Sequence, residues 1–281
     1  MTNLTKTVER IDVRVCSNIM REPQVFDIIG DQAREVGAPG VGGLCRDIMI
    51  WAAWNESEWA RLNVKEFAEM FGYSRAYLFK RLEEGVIKNL KKAGFEDVKD
   101  TLGYALAHLV SRNLVFREGY VAVGKNGLKN SVTHTAVNLL QKLTVTTSRA
   151  GTVFTIKVAP GFLDNCRESK YFQRFYLEDY LRFTHSRGQA HHAARKMYLH
   201  LLRKRRVWDN AKKEPGVKPS YSDFDKLVKV AGFEYKDIRD TSRELRKLLQ
   251  LVGDAPGVKM TAELTPTAEG SYIVRFKRDD L

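Results

Sequence analysis

The chain has 281 residues, 43% of them hydrophobic and 29% charged, enough apolar side chain for real cores and too much for a disordered polymer. Its most apolar stretch, residues 48–54, is seven residues long, against about twenty needed to cross a bilayer, and the length favours two modest domains over one. A formal charge of +13 makes a polyanion the first partner to consider; residues 1–100 and 251–281 are each net -1, so the excess, net +15, lies in residues 101–250.

Residues 1–40, with Pro23, Pro39 and Gly40, read as an N-terminal arm, and their scattered charges are not those of a secretory signal. Trp51, Trp54 and Trp59, with Ile48 and Ile50, are expected in the core of a first domain rather than on a base-stacking platform. Val64, Phe67, Ala68, Phe71 and Gly72 come next; they predict a two-turn amphipathic helix, opened by Asn63 with Glu66 and stopped by a glycine C-cap. A second helix is predicted over 74–84, with Leu78, Phe79 and Leu82 inward and Ala76, Tyr77, Lys80, Arg81 and Glu84 outward.

Further along, Gly119 to Lys125 resembles a phosphate loop but continues with Asn126, which has no hydroxyl for magnesium, and its alternation suggests a hairpin around 118–119. A helix over 133–141 is a rival recognition element in the acid-poor stretch 101–150, which has six basic groups and one acid. Lys125, Lys129, Lys142 and Arg149 are candidates there for phosphate contact. Residues 143–147 and 152–158 alternate β-branched and polar side chains around a turn at 148–151, predicting a hairpin, and a domain boundary is expected near 160–169.

The next helix is predicted from 189, with Ala194, Met197, Tyr198, Leu201 and Leu202 on its inner side and Lys196, Arg203, Lys204, Arg205 and Arg206 towards its end. Five cations exceed what a helix dipole uses. At an offset of 160 residues the first template returns as Phe224, Leu227, Val228, Ala231 and Gly232, with Ser222, Asp223 and Asp225 at its start and an aromatic after each glycine, Tyr73 and Phe233. A long helix over 235–252 and a hairpin, 258–264 with 271–277, complete the chain. Helix, glycine turn, helix and hairpin, twice over, predict a mainly α, α+β fold of two winged-helix domains, 41–165 and 166–281, after the arm at 1–40.

On the last helix, Ile238, Leu245, Leu248, Leu249 and Val252 share one side. Lys236, Arg239, Arg243 and Lys247 fall within about 80° on the other, interrupted by Asp240, with Arg246 beside them. Like charges at i,i+4 cost a purely structural helix a few tenths of a kcal/mol, roughly. Such a ridge fits phosphates and guanine edges in a major groove. The expected DNA-contact set is therefore Lys236, Arg239, Arg243, Arg246 and Lys247, with Tyr77, Lys80, Arg81, Lys125, Lys129, Lys142 and Arg149 in the first domain.

Other chemistries fit less well. His192 and Arg195 match a His-x-x-Arg box of tyrosine recombinases, with Tyr221 or Tyr235 as nucleophile, a four-residue pattern with two fixed positions. The six histidines form no metal-ligand pattern, and Cys16, Cys45 and Cys166 contain no C-x-x-C pair, so neither a metal nor a disulfide framework is expected and the reducing cytoplasm fits. No cofactor is expected, and no enzyme activity.

The segments AVNLLQKLTVTT, FTIKVAPGFLDNC, YFQRFYLEDYLRFTHSRGQAHHAARKMYLHLLRKRR and YSDFDKLVKVAGFEYKDIRDTSRELRKLL, with the terminal hairpin, resemble plasmid-type replication initiators that bind repeated origin sites, iterons, through two winged-helix domains. The resemblance covers 131–277. It implies that the second domain carries the main base-reading helix, which by position is Lys236, Arg239, Arg243 and Lys247. It also implies origin opening, loading of a host helicase or contact with host initiator proteins, and a first domain that either contacts adjacent DNA as a monomer or forms a homodimer interface that represses the initiator's own gene. A transcriptional repressor or partition protein built on the same module is the alternative.

Overall fold

The computed structural model describes residues 12–16, 33, 38, 40–55, 57–96, 98–111, 113–124, 127–138, 140–148, 151–160, 163, 172–185, 190–211, 220–233 and 237–278. The fold is mixed α and β, and the chain divides into two compact units, one of Arg14–Phe172 and the other of Gln173–Leu281 together with Met1–Val13. Most of the expected arm lies outside the described residues, which there include one strand, β1 (Asp12–Cys16).

The amino-terminal unit holds α1 (Val41–Asn55), β2 (Trp59–Asn63), α2 (Val64–Phe71), α3 (Arg75–Leu78), α4 (Glu84–Lys92), α5 (Thr101–Ser111), β3 (Asn113–Gly124), β4 (Gly127–Asn138), β5 (Leu140–Ser148) and β6 (Gly151–Val158). Its core is α1 against α5, through Leu44, Ile48, Met49, Leu102, Leu106 and Leu109, with one face of the antiparallel sheet β2-β6-β5 supplying Ala60, Leu62, Phe154, Ile156 and Val158. Several sequence expectations fail in this unit. Residues 133–138 and 140–141 are strand rather than helix, in β4 and β5 respectively, because stiff Val132, Thr133, Thr135 and Val137 favour the pleated backbone and β4 pairs along its whole length with β3. There is no turn at 118–119: β3 runs through it, and the hairpin closes between Gly124 and Gly127. Trp51 is buried and Trp54 half-buried, but Trp59 is 49% exposed.

The carboxy-terminal unit holds β7 (Phe172–Tyr176), α6 (Leu177–Leu181), a 3-10 turn (Arg182–His185), α7 (Ala190–Ala211), β8 (Ser220–Asp223), α8 (Phe224–Ala231), α9 (Ile238–Gly253), β9 (Met260–Pro266) and β10 (Tyr272–Arg278). The inner side of α7 is buried as its sequence predicts at Ala194, Met197, Tyr198 and Leu201, while Leu202 is half-buried. Helices α8 and α9 pack on it. The sheet order is β8-β10-β9, so in each unit the strand leading into the short helix pairs with the second strand of the later hairpin.

The repeated template forms in both places. The Asn63 side chain accepts from the backbone N–H of Lys65 and Glu66, and that of Asp223 from Asp225 and Lys226; Asp223, not the expected Ser222, is the second cap. Gly72 and Gly232 take left-handed conformations (φ 72 and 71). Tyr73 N–H then reaches the Ala68 carbonyl, and Phe233 N–H that of Val228, at 2.9 and 3.2 Å, the six-to-one bond of a Schellman ending.

After the glycine the two copies part. The single helix expected over 74–84 is α3, four residues long, then an extended step into α4. Leu82 N–H bonds to the Lys99 carbonyl, and Thr101 N–H to that of Lys80. These groups find partners across a bridge rather than four residues back, so the helix ends. In the second copy α9 runs 16 residues from its cap, Asp237, which accepts from Arg239 and Asp240; the helix begins at Ile238 rather than 235. The hairpin starts at Met260 rather than 258, because Val258 and Lys259 donate back to the Ala255 carbonyl and Lys259 is left-handed (φ 44).

Candidate nucleic-acid interface

Helix α9 separates its two sides cleanly. Thr241, Leu245, Leu248, Leu249 and Val252 are buried, while Arg239, Arg243, Arg246 and Lys247 are exposed. Eight residues at about 1.5 Å each put Arg239 and Lys247 about 12 Å apart along the axis, the scale of a major-groove width. Lys236 lies outside the described residues.

The ridge is less purely repulsive than its spacing implies. The Arg243 guanidinium donates to the Asp240 carboxylate at 2.9 Å, both side chains largely in solvent. Asp240 therefore offsets part of the like-charge cost, and an exposed pair of this kind contributes little to stability and is readily exchanged for a phosphate. The Arg246 guanidinium stands 5.8 Å from the Tyr272 ring centroid, and Tyr272 packs on Phe224, so Arg246 ties the helix side to the hairpin.

Two cations at the end of α7 are structural rather than available to a ligand. Lys204 Nζ donates to the Tyr221 carbonyl at 2.8 Å and the Ser222 hydroxyl at 2.6 Å and lies 4.7 Å from the Phe276 ring centroid. Burial, with Lys226 nearby, lowers its pKa to about 8. Arg205 donates to the Val258 and Lys259 carbonyls and pairs with Asp209, which also binds Arg278 at 2.6 Å. Burial, then Lys204, Arg203 and Lys226, pushes His200 down to about 4.

In the amino-terminal unit the expected contact residues differ in exposure. Tyr77 is half-buried rather than outward: its ring stacks 5.7 Å from Tyr73, which stacks on Phe67 and donates its hydroxyl to buried Asp47 at 2.7 Å. Burial, together with Cys45 and Asp47, pushes the Tyr77 phenol up. Lys80 and Arg81 are exposed, but Arg81 pairs with Glu84. Lys142 is exposed on β5, and Lys129 lies on β4 opposite Ala122. Lys125 and Arg149 fall outside the described residues. Alternation along β2 turns Trp59 outward with Arg61: Trp59, Arg61 and Asn63 are exposed, Ala60 and Leu62 buried.

The recombinase-like box is poorly placed for solvent chemistry. Arg195 is 0% exposed, its guanidinium 5.1 Å from the Tyr180 ring centroid. Tyr221 is 54% exposed on β8, and Tyr235 lies outside the described residues. Among the described residues there is no group of three His, Cys, Asp or Glu arranged to hold a metal ion, and no helix is long and apolar enough to cross a membrane.

Fold and surface together define a two-unit α+β protein whose second unit presents a cationic helix beside a three-stranded sheet. No family model and no curated protein matches the chain. Among solved structures, a selenomethionine derivative of domains 2 and 3 of RctB is similar at a TM-score of 0.42 and 10% identity, covering 85% of this chain and 82% of that one. A second structure of RctB domains 2 and 3 is similar at 0.37 and 8%, covering 94% and 83%.

Proposed function

We propose that the protein is a cytoplasmic, sequence-specific duplex-DNA-binding initiator of plasmid or replicon replication that acts without catalysis. The observation that carries this reading is α9, with Arg239, Arg243 and Lys247 exposed opposite a buried apolar side. Each unit is read as a winged helix: the carboxy-terminal one runs strand, short helix, glycine turn, helix, hairpin, and the amino-terminal one follows the same order with α4, α5 and the β3–β4 hairpin inserted before its last hairpin, the first strand lying beside the last in both. Arg243 releases Asp240 and engages a guanine edge or a phosphate, Arg239 and Lys247 grip the flanking backbone, and Lys236 extends the set by sequence. Bound arrays on origin repeats strain the neighbouring duplex until it opens and a host helicase is loaded; a homodimer through the amino-terminal unit represses the same promoter.

The test is footprinting of the full-length protein on DNA flanking its gene. Protection of a cluster of direct repeats is expected, whereas protection of a single inverted repeat selects the repressor or partition reading. Binding that does not change with salt excludes a phosphate-gripping ridge. Covalent protein–DNA adducts on supercoiled DNA overturn the non-catalytic assignment.

A further inference from the structure

The outer side of the amino-terminal sheet is built as a stacking platform with cations around it. Strand register places Trp59, Lys157 and Lys142 side by side across β2, β6 and β5, and Arg61, Thr155 and Thr144 in the next row. Three adjacent strands span about 10 Å. Trp59, Arg61, Lys142 and Thr144 are exposed and Lys157 half-exposed, while the opposite side of the sheet is core. Lys157 Nζ lies 5.5 Å from the Trp59 ring centroid and pairs with Glu58 at 2.8 Å. Three cations against one acid select an anion. A half-exposed indole among them selects one with a flat apolar group, and hydroxyls add hydrogen bonds at the same level.

We infer that this face binds single-stranded nucleic acid, one base stacking on Trp59 and the adjoining phosphates meeting Arg61, Lys157 and Lys142. A single strand fits better than a duplex because only an unpaired base offers its ring face to an indole, and a three-stranded sheet is broader than the groove that admits a two-stranded ribbon. Nothing about this face depends on duplex binding by α9. The test is fluorescence anisotropy of labelled oligo(dT) with the full-length protein, beside a duplex of its protected site. Trp59→Ala is expected to weaken oligo(dT) binding about tenfold and Trp59→Phe to restore most of it, with duplex affinity and melting temperature unchanged. Arg61→Ala with Lys142→Ala is expected to lower the slope of log affinity against log salt by about 1.4. No binding of oligo(dT), or equal binding by Trp59→Ala, overturns the inference. Loss of duplex binding through Arg243→Ala alone, with oligo(dT) retained, leaves it standing and tests α9 separately.

Discussion

The two copies of the helix-glycine template share a frame and diverge beyond the glycine. In both, a strand delivers an Asn or Asp cap, eight residues of helix bury one side, and a left-handed glycine turns the chain. In the carboxy-terminal copy the chain then makes a 16-residue helix with an exposed cationic side. In the amino-terminal copy it makes four residues of helix, and the aromatic series Phe67, Tyr73 and Tyr77 closes on Asp47. The same local signals thus set a helix start and stop, while distant backbone partners decide whether the next helix becomes a projecting rod or an inward prop.

The largest expected effect breaks the carboxy-terminal copy alone. A Cβ on Gly253 would lie 2.3 Å from the Met260 carbonyl oxygen, so Gly253→Ala forces apart the junction between α9 and the hairpin. A loss of about 3 kcal/mol in urea unfolding is expected; an unchanged midpoint would show that the junction yields at little cost. Arg243→Ala comes next, costing about 2 kcal/mol of specific DNA affinity if the side chain reads a base. Lys80→Ala, at the end of the amino-terminal copy, should cost less, and equal losses would erase the functional difference between the copies.

Gly72→Ala and Gly232→Ala are each expected to destabilise by about 1–2 kcal/mol, since both place a Cβ in the left-handed region. Asn63→Ala and Asp223→Ala should each cost about 1 kcal/mol through the lost cap. Similar values in the two units would confirm a shared frame; a large disparity would limit the repeat to sequence.

A separate effect is one of pH. The folded pKa of His200, about 4, lies below its ordinary value of 6.5, so the unfolded chain takes up the proton first. Stability should fall as pH drops from about 6.5 towards 4. His200→Phe should flatten that dependence in calorimetric melts, and an unchanged slope would assign it to other groups.

Much of the fold is legible in sequence because it is local. Cap residues, glycine stops and apolar spacing place α2 and α8, and the period of α9 sorts Leu245, Leu248 and Leu249 from Arg239, Arg243 and Lys247. Both terminal hairpins are announced by alternation. The illegible parts depend on partners far along the chain. The split of 74–84 needs Lys99 and Thr101, and the strand at 133–138 needs β3 as its partner, a pairing that no local period reveals. Lys204 and Arg205 look like surface charge until Tyr221 and Ser222 fold against the first and the Val258 and Lys259 carbonyls against the second. Trp59 is misplaced for a different reason: its aromatic neighbours Trp51 and Trp54 belong to a helix, whereas it opens a strand whose parity turns it outward.

The β3–β4 hairpin has a mechanical consequence. Twelve residues per strand at about 3.4 Å each make a ribbon about 40 Å long, paired as a sheet of two strands and anchored to the rest of its unit where α5 meets β4. A two-stranded ribbon draws little support from its own bonds, so its amides should exchange with solvent deuterium in a gradient, slowest by Asn113 and Asn138 and fastest by Gly124 and Gly127. It is a lever whose stiffness is set at its root.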